Sequence, residues 1–202
     1  ADMALESEAA TALAFRIARS FDDGKSAALF SRLATPIGKY WLNKRVVNFV
    51  YEAMECHGGA GYVEESILPR LFRQSPLNSI WEGSGNVICL DVLRALAREP
   101  QTAEALFAEL DTARGAYPEL DRAIDKAKAS LATTTEPHAR RLVENLALAL
   151  QGALLARHAP NGVADAFIAT RFGSEPWRTY GAFDAAVDIK SILDRASPLA
   201  PH

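Results

Sequence analysis

Apolar residues recur at helical spacing along nearly the whole chain. In the first segment Leu13, Ile17 and Phe21 lie four apart, with Ala10, Ala14 and Ala18 beside them. That spacing predicts an amphipathic helix whose small residues permit close packing. Asp22-Asp23-Gly24 interrupts it, and Ser26 is the expected N-cap of the next helix. The second helix is expected over about residues 26–57, with Leu29, Leu33, Ile37, Trp41 and Val47 among its apolar positions. Pro36 should kink or break it, because proline lacks the backbone donor and crowds the preceding turn. Gly58-Gly59-Ala60-Gly61 then stops it, and a loop with Pro69 and Pro76 follows, with a helical turn at Leu68–Arg73. Asn86 is the expected N-cap of a further helix that sets Val87, Leu90, Leu93 and Leu96 on one side and Arg94 elsewhere.

Beyond Pro100 the segments shorten. Residues 101–115, 118–131, 136–157 and 161–172 read as amphipathic helices rich in Ala and Leu, separated by Gly115, Pro118 and Pro137. Residues 173–180 mix Gly, Pro and aromatics and are expected to be irregular, with a last helix over about 184–195. No internal repeat or low-complexity tract interrupts this order. The expected fold class is all-α, with a boundary near Arg98–Gln101 that separates residues 1–98 from residues 99–202.

Composition changes this picture little. With 49% hydrophobic and 23% charged residues, the chain has the makeup of a globular protein and not of a disordered one. No apolar run approaches the roughly 18 residues of a membrane helix, and the opening residues have no basic head or apolar core of a signal peptide. Cys56 and Cys89 are too few for a disulfide framework, so a cytoplasmic setting with both thiols reduced is expected. The chain opens inside a helical pattern without an initiator Met, which suits a piece of a longer protein. Its net charge is -3, and residues 101–202 hold 11 Lys/Arg against 13 Asp/Glu. Charge balance therefore gives no sign of a polyanion partner. His138, His158 and His202 lack metal-ligand spacing with the cysteines, so no metal site is expected.

Two stretches could carry chemistry. Cys56-His57-Gly58-Gly59-Ala60-Gly61-Tyr62 closes the long helix. Taken alone, it reads first as a helix stop and only second as a cradle approached by a nucleotide. Asn78-Ser79-Ile80-Trp81-Glu82-Gly83-Ser84-Gly85-Asn86 sets a carboxylate between an aromatic and a flexible turn. Partial burial beside an aromatic makes a carboxylate a better proton acceptor, and glycines admit a substrate. The plainer reading places Glu82 near a helix N-terminus, where negative charge is favoured. Trp41 and Trp81 are expected to be packing anchors.

In combination the stretches say more. A long helix ends in Gly-Gly-x-Gly-Tyr, Leu68-Pro69-Arg70-Leu71-Phe72-Arg73 follows, and then Ile80-Trp81-Glu82-Gly83-Ser84. This order and spacing resemble the closing signature of acyl-CoA dehydrogenases, over about residues 1–98. Glu64-Glu65-Ser66 followed by Leu68-Pro69-Arg70, the whole of Asn78–Asn86 and Cys89-Leu90-Asp91-Val92-Leu93-Arg94 are similar to the AidB-like, alkylation-response branch. Residues 99–202 resemble that branch's carboxy-terminal extension, most clearly at Ala164-Asp165-Ala166-Phe167 and Arg171.

The resemblance implies the family's C-terminal helical bundle with an added helical extension. It implies that Glu82 is the base for the α-proton of an acyl-CoA thioester while hydride passes to FAD, and that Gly83 lies against the substrate. It implies FAD contacts at Gly58 and Gly59, with the flavin held mainly by a neighbouring subunit, and at Ser84, Gly85 and Asn86. Homotetramers are usual in the family. For the AidB-like branch it implies binding of double-stranded DNA, with Arg94, Arg140, Arg141, Arg157, Arg171 and Arg178 as candidate phosphate contacts; an active dehydrogenase whose extension serves only assembly is the alternative. Glu55 stands where the ordinary enzymes favour glutamine, and an acidic side chain is a poor neighbour for pyrophosphate. The family's amino-terminal helical domain and middle β-domain are not in this sequence, so the chain alone is expected not to turn over a substrate.

Overall fold

The computed structural model describes residues 1–174, 179–183 and 187–198. Among them the regular structure is helical, as the spacing of apolar residues requires. The first helix, α1 (Asp2–Asp22), buries Leu5, Ala9 and Leu13 completely, whereas Phe21 is exposed. Its inward stripe therefore runs along Leu5, Ala9 and Leu13 rather than on to Phe21.

A 3-10 turn at Gly24–Ala27 leads into α2 (Ala28–Cys56), whose N-cap position is Ala27, not Ser26. Pro36 does not break α2, which continues as one 29-residue helix. Leu33, Ala34, Ile37 and Gly38 around the proline are fully buried in the core, and this packing outweighs one missing backbone hydrogen bond. Gly38 has no room for a Cβ, because Ile17 of α1 lies 2.6 Å from where that atom would be. The short α3 (Gly59–Tyr62) and α4 (Leu68–Gln74) follow, and a 3-10 turn at Ser75–Ser79 joins α4 to the loop before α5 (Gly85–Arg98). The buried side of α5 is Ile88, Cys89, Val92 and Ala95. Val87 is exposed, so the stripe is rotated from the expected one.

The second half consists of α6 (Gln101–Asp111), α7 (Pro118–Ser130), α8 (Ala139–His158), α9 (Asn161–Phe172) and α10 (Ile189–Ala196). Helix α8 buries residues on nearly every side, from Leu142 and Val143 to Leu154 and Leu155. Such an all-round apolar helix belongs at a centre, and α1, α2, α5, α7 and α9 all pack on it. Gly152 admits that packing: a Cβ there would meet Phe172, Leu120 and Ile168. Trp41 anchors α2 to α8, as expected, by donating its indole N–H to the Oε1 of buried Gln151 at 2.9 Å. Helix α10 starts at Ile189, capped by the Asp188 side chain, later than the expected residue 184; residues 184–186 lie outside the described part.

One apolar cluster runs from Leu5 to Ile192, continuous across the break between α5 and α6. Among the described residues, no helix is long and apolar enough to cross a membrane.

Candidate active site

The loop from Ile80 to Ser84 lies against the middle of α2. Glu82 is the one non-glycine residue with positive φ among those described, at 52°, and Gly83 follows at 100°. A left-handed backbone at a residue with a Cβ costs about 1–2 kcal/mol, so something must hold it. Two side chains one turn apart on α2 do so. Lys39 Nζ donates to the carbonyl oxygens of Trp81 at 2.7 Å, Glu82 at 2.6 Å and Gly83 at 3.2 Å. Asn43 Nδ2 donates to the carbonyl of Asn78 at 3.0 Å.

The loop is thus fastened by its backbone, and its side chains stay free. Trp81 is 56% exposed and is not the packing anchor expected. Glu82 is exposed as well, so the aromatic shelter expected for it is not formed by these residues. Glu82 and Gly83 border a groove of about 590 Å³ between the end of α1, α2 and α5, with Phe21, Pro36, Val87 and Arg94 among its walls. That volume suits a small organic ligand. The structure therefore brings together Glu82, Gly83 and Arg94, three of the residues singled out in the sequence.

Ser84, Gly85 and Asn86 form the N-terminus of α5. Ser84, not Asn86, holds the N-cap position, with extended backbone and no side-chain cap. The first backbone N–H groups of this 14-residue helix have no partner within it. Gly85 is buried so closely that a Cβ would lie 2.8 Å from Lys44 Cε and 3.4 Å from Tyr40. Arg140, reaching over from α8, donates to Asn86 Oδ1 at 3.4 Å. Free amides, the helix dipole and two cations make this end suitable for a nucleotide phosphate. Cys89 lies beneath it, and burial pushes its thiol up to about 11, too high for a reactive thiolate.

Gly58 and Gly59 sit at the opposite kind of end. Gly58 has φ 56°, both glycines are exposed, and a Cβ at either would meet nothing within 4 Å. A second molecule can reach this backbone, but the C-terminus of α2 and the exposed Glu55 make it negative. Of the two ends, that of α5 is therefore the one suited to a phosphate.

The six arginines divide. Arg94, Arg140 and Arg141 are exposed and form no ion pair among the described residues. Arg157 is partly engaged, donating to Glu109 Oε1 at 3.2 Å. Arg171 must be corrected: its side chain is 2% exposed and pairs with Asp2 at 2.7 Å and Glu6 at 3.1 Å. Its charge is taken up inside the bundle, which leaves nothing for a phosphate. Arg178 lies outside the described residues. Sequence reasoning missed Lys39, Lys44 and Asn43; their four- and five-residue spacing on one helix gives no signal until the loop is laid across it.

Residues 1–97 match the family described as "Acyl-CoA dehydrogenase, C-terminal domain". The chain is 44% identical over 168 residues to the putative acyl-CoA dehydrogenase AidB of Escherichia coli (strain K12), covering 82% of this chain and 31% of that protein. It is 32% identical over 158 residues to acyl-CoA dehydrogenase family member 11 of Caenorhabditis elegans, covering 75% of this chain and 26% of that protein. Among solved structures it resembles C. elegans ACDH-11 in complex with C11-CoA, with a TM-score of 0.72 and 25% identity over 86% of this chain and 35% of that one. The chain thus spans about a third or less of these relatives. It belongs to the acyl-CoA dehydrogenase family, with residues 1–97 forming the C-terminal helical domain and AidB among its relatives.

Proposed function

We propose that this chain supplies the catalytic base of an AidB-like, FAD-dependent acyl-CoA dehydrogenase. The observation that carries the reading is Glu82, held at a left-handed turn on the border of a groove with Gly83 beside it. In this reading the groove aligns the acyl chain, and the Glu82 carboxylate accepts the α-proton of the thioester. FAD held at this site would supply the hydride acceptor for the β-carbon, which would make the product the α,β-unsaturated thioester. Gly83 lets the thioester approach the backbone, and Gly58, Gly59, Ser84, Gly85 and Asn86 contact the flavin nucleotide. The ACDH-11 complex with C11-CoA supports an acyl-CoA-type ligand. The test is turnover of the flavoprotein that contains this chain, assayed with a branched acyl-CoA. Glu82→Gln is expected to lower it by roughly 10²–10⁴-fold, and unchanged turnover would remove Glu82 as the base. The same reading carries the family's homotetramer, which light scattering on that flavoprotein checks.

A second reading, double-stranded DNA binding within residues 99–202, draws on Arg140 and Arg141. Both stand in the first turn of the 20-residue α8, where cations oppose the helix dipole and a phosphate would relieve them. Arg157, and Arg94 of α5 just before residues 99–202, are further contacts in this reading. Duplex binding followed by fluorescence anisotropy should weaken steeply with salt, and the Arg140→Ala/Arg141→Ala pair should shallow that dependence by about 2 in the log–log slope. Binding that does not respond to salt would end the DNA reading for these residues.

A further inference from the structure

Lys39 has no part in the reading above, yet it touches the catalytic loop at three places. We infer that Lys39 is a positioning residue for Glu82: its ammonium gathers the carbonyls of residues 81, 82 and 83 and so fixes the turn from which Glu82 reaches the groove. The inference rests on the reading of Glu82 as the base.

An ammonium group has three donors, and all three are taken by this loop. Lys39 borders the groove but has no donor left for a ligand, so it acts through the loop and not on a substrate. In extended chain, successive carbonyls point to opposite sides. Here the positive φ at Glu82 and Gly83 turns three of them toward one cation. The hydrogen bonds and the left-handed turn therefore require each other. If the cation goes, Glu82 is free to return to ordinary backbone angles, and its carboxylate leaves its position over the groove. Water can solvate the Trp81 and Glu82 carbonyls, whose bonds to Lys39 are exposed, so loss of Lys39 loosens the loop without unfolding the bundle.

The experiment compares Lys39→Met, Lys39→Arg and Glu82→Gln in the flavoprotein that contains this chain. Turnover is expressed per bound FAD, and amide hydrogen exchange is followed in the 202-residue chain. Lys39→Met should lower kcat by about 10–100-fold, the scale of a reacting group displaced by about 1 Å, with KM, flavin content and thermal midpoint nearly unchanged. Lys39→Arg, which keeps a multi-donor cation, should recover most of the loss. Exchange at the amides of Ile80 and Trp81, which donate to the Leu77 carbonyl at 2.9 and 3.1 Å, should quicken about tenfold in Lys39→Met, with the rest of the chain unaffected. A merely structural lysine would give the opposite split: lower flavin content and midpoint, with kcat per flavin preserved. That result, or unchanged exchange at Ile80 and Trp81, overturns the inference. If Glu82→Gln is inactive and Lys39→Met is normal, only the inference fails. If Glu82→Gln turns over normally, the base reading fails and takes the inference with it.

Discussion

The bundle interior near Arg171 and the loop at Glu82 handle charge and strain in opposite ways. At Arg171 two guanidiniums, its own and that of Arg45, and the carboxylates of Asp2 and Glu6 are withdrawn from water and matched to one another, and Gly181 N–H adds a hydrogen bond to Asp2 at 3.0 Å. At Glu82 the carboxylate is left in the open on a strained backbone, and the cation beneath it serves carbonyls instead. A buried ion pair adds little net stability, but removing one partner strands the other. A strained, exposed carboxylate adds no stability, and what it offers is availability. The contrast teaches that this fold pairs its charges inside the bundle and leaves the carboxylate proposed as the base unpaired, among the described residues, at a turn it holds by the backbone.

The largest expected effect tests the interior side. Arg171→Met should lower the unfolding free energy by about 3–5 kcal/mol, read by urea denaturation of the chain. A loss below about 1 kcal/mol would mean that Asp2 and Glu6 are not held by it, and the contrast would collapse. Gly61→Ala comes next. The added methyl would press on the carbonyl oxygen of Met54, in the last turn of α2, and overpacking against backbone should cost about 1–3 kcal/mol.

Glu109 gives a smaller, pH-dependent effect. The Arg16 guanidinium, bonded to it at 2.7 and 2.9 Å, holds its carboxyl below the ordinary value of 4.5, with Arg157 adding to the pull. A lowered folded pKa means that this contribution is complete above pH 4.5 and fades as pH falls through the lower folded value. Glu109→Gln should therefore flatten the acid limb of the stability profile below pH 4.5, and solvent screening keeps the neutral-pH loss to roughly 1 kcal/mol or less. The smallest effect has the opposite sign. Glu82→Gly should stabilise the chain by about 0.5 kcal/mol, because relief of the left-handed turn slightly exceeds glycine's added freedom. A destabilised Glu82→Gly would show that the loop carries no strain.

The helices and their breaks were legible because apolar spacing and glycine stops are local properties. Boundaries near 58, 100, 118 and 160 appear where Gly and Pro put them. The rotated stripe of α5 was not legible, since Val87 and Ile88 are equally apolar and only the loop before them decides which turns inward. Glu82 could be named from the Trp-Glu-Gly-Ser wording, but not its exposure or its backbone angle. Lys39 was invisible, because its partners lie 42–44 residues on. Arg171 was expected to be a phosphate contact, although a hint of its burial was present. Asp2 and Glu6 fall on the same face of α1 as Leu5 and Ala9, and two acids on an apolar stripe call for a cation from elsewhere in the chain.

That arrangement also sets an order in time. Glu6 meets its first cation, Arg45 of α2, 39 residues on, and its second, Arg171, only 165 residues on, so on the ribosome this cluster stays half-matched while the later helices emerge. Asp2 gains its ion pair only when α9 arrives with Arg171, and loop closure over so long a span is slow compared with helix formation. The contact with Arg171 is therefore expected to be the last that α1 makes, and a chain ended before it should show faster amide exchange in the first turns of α1 than in α2 and α5.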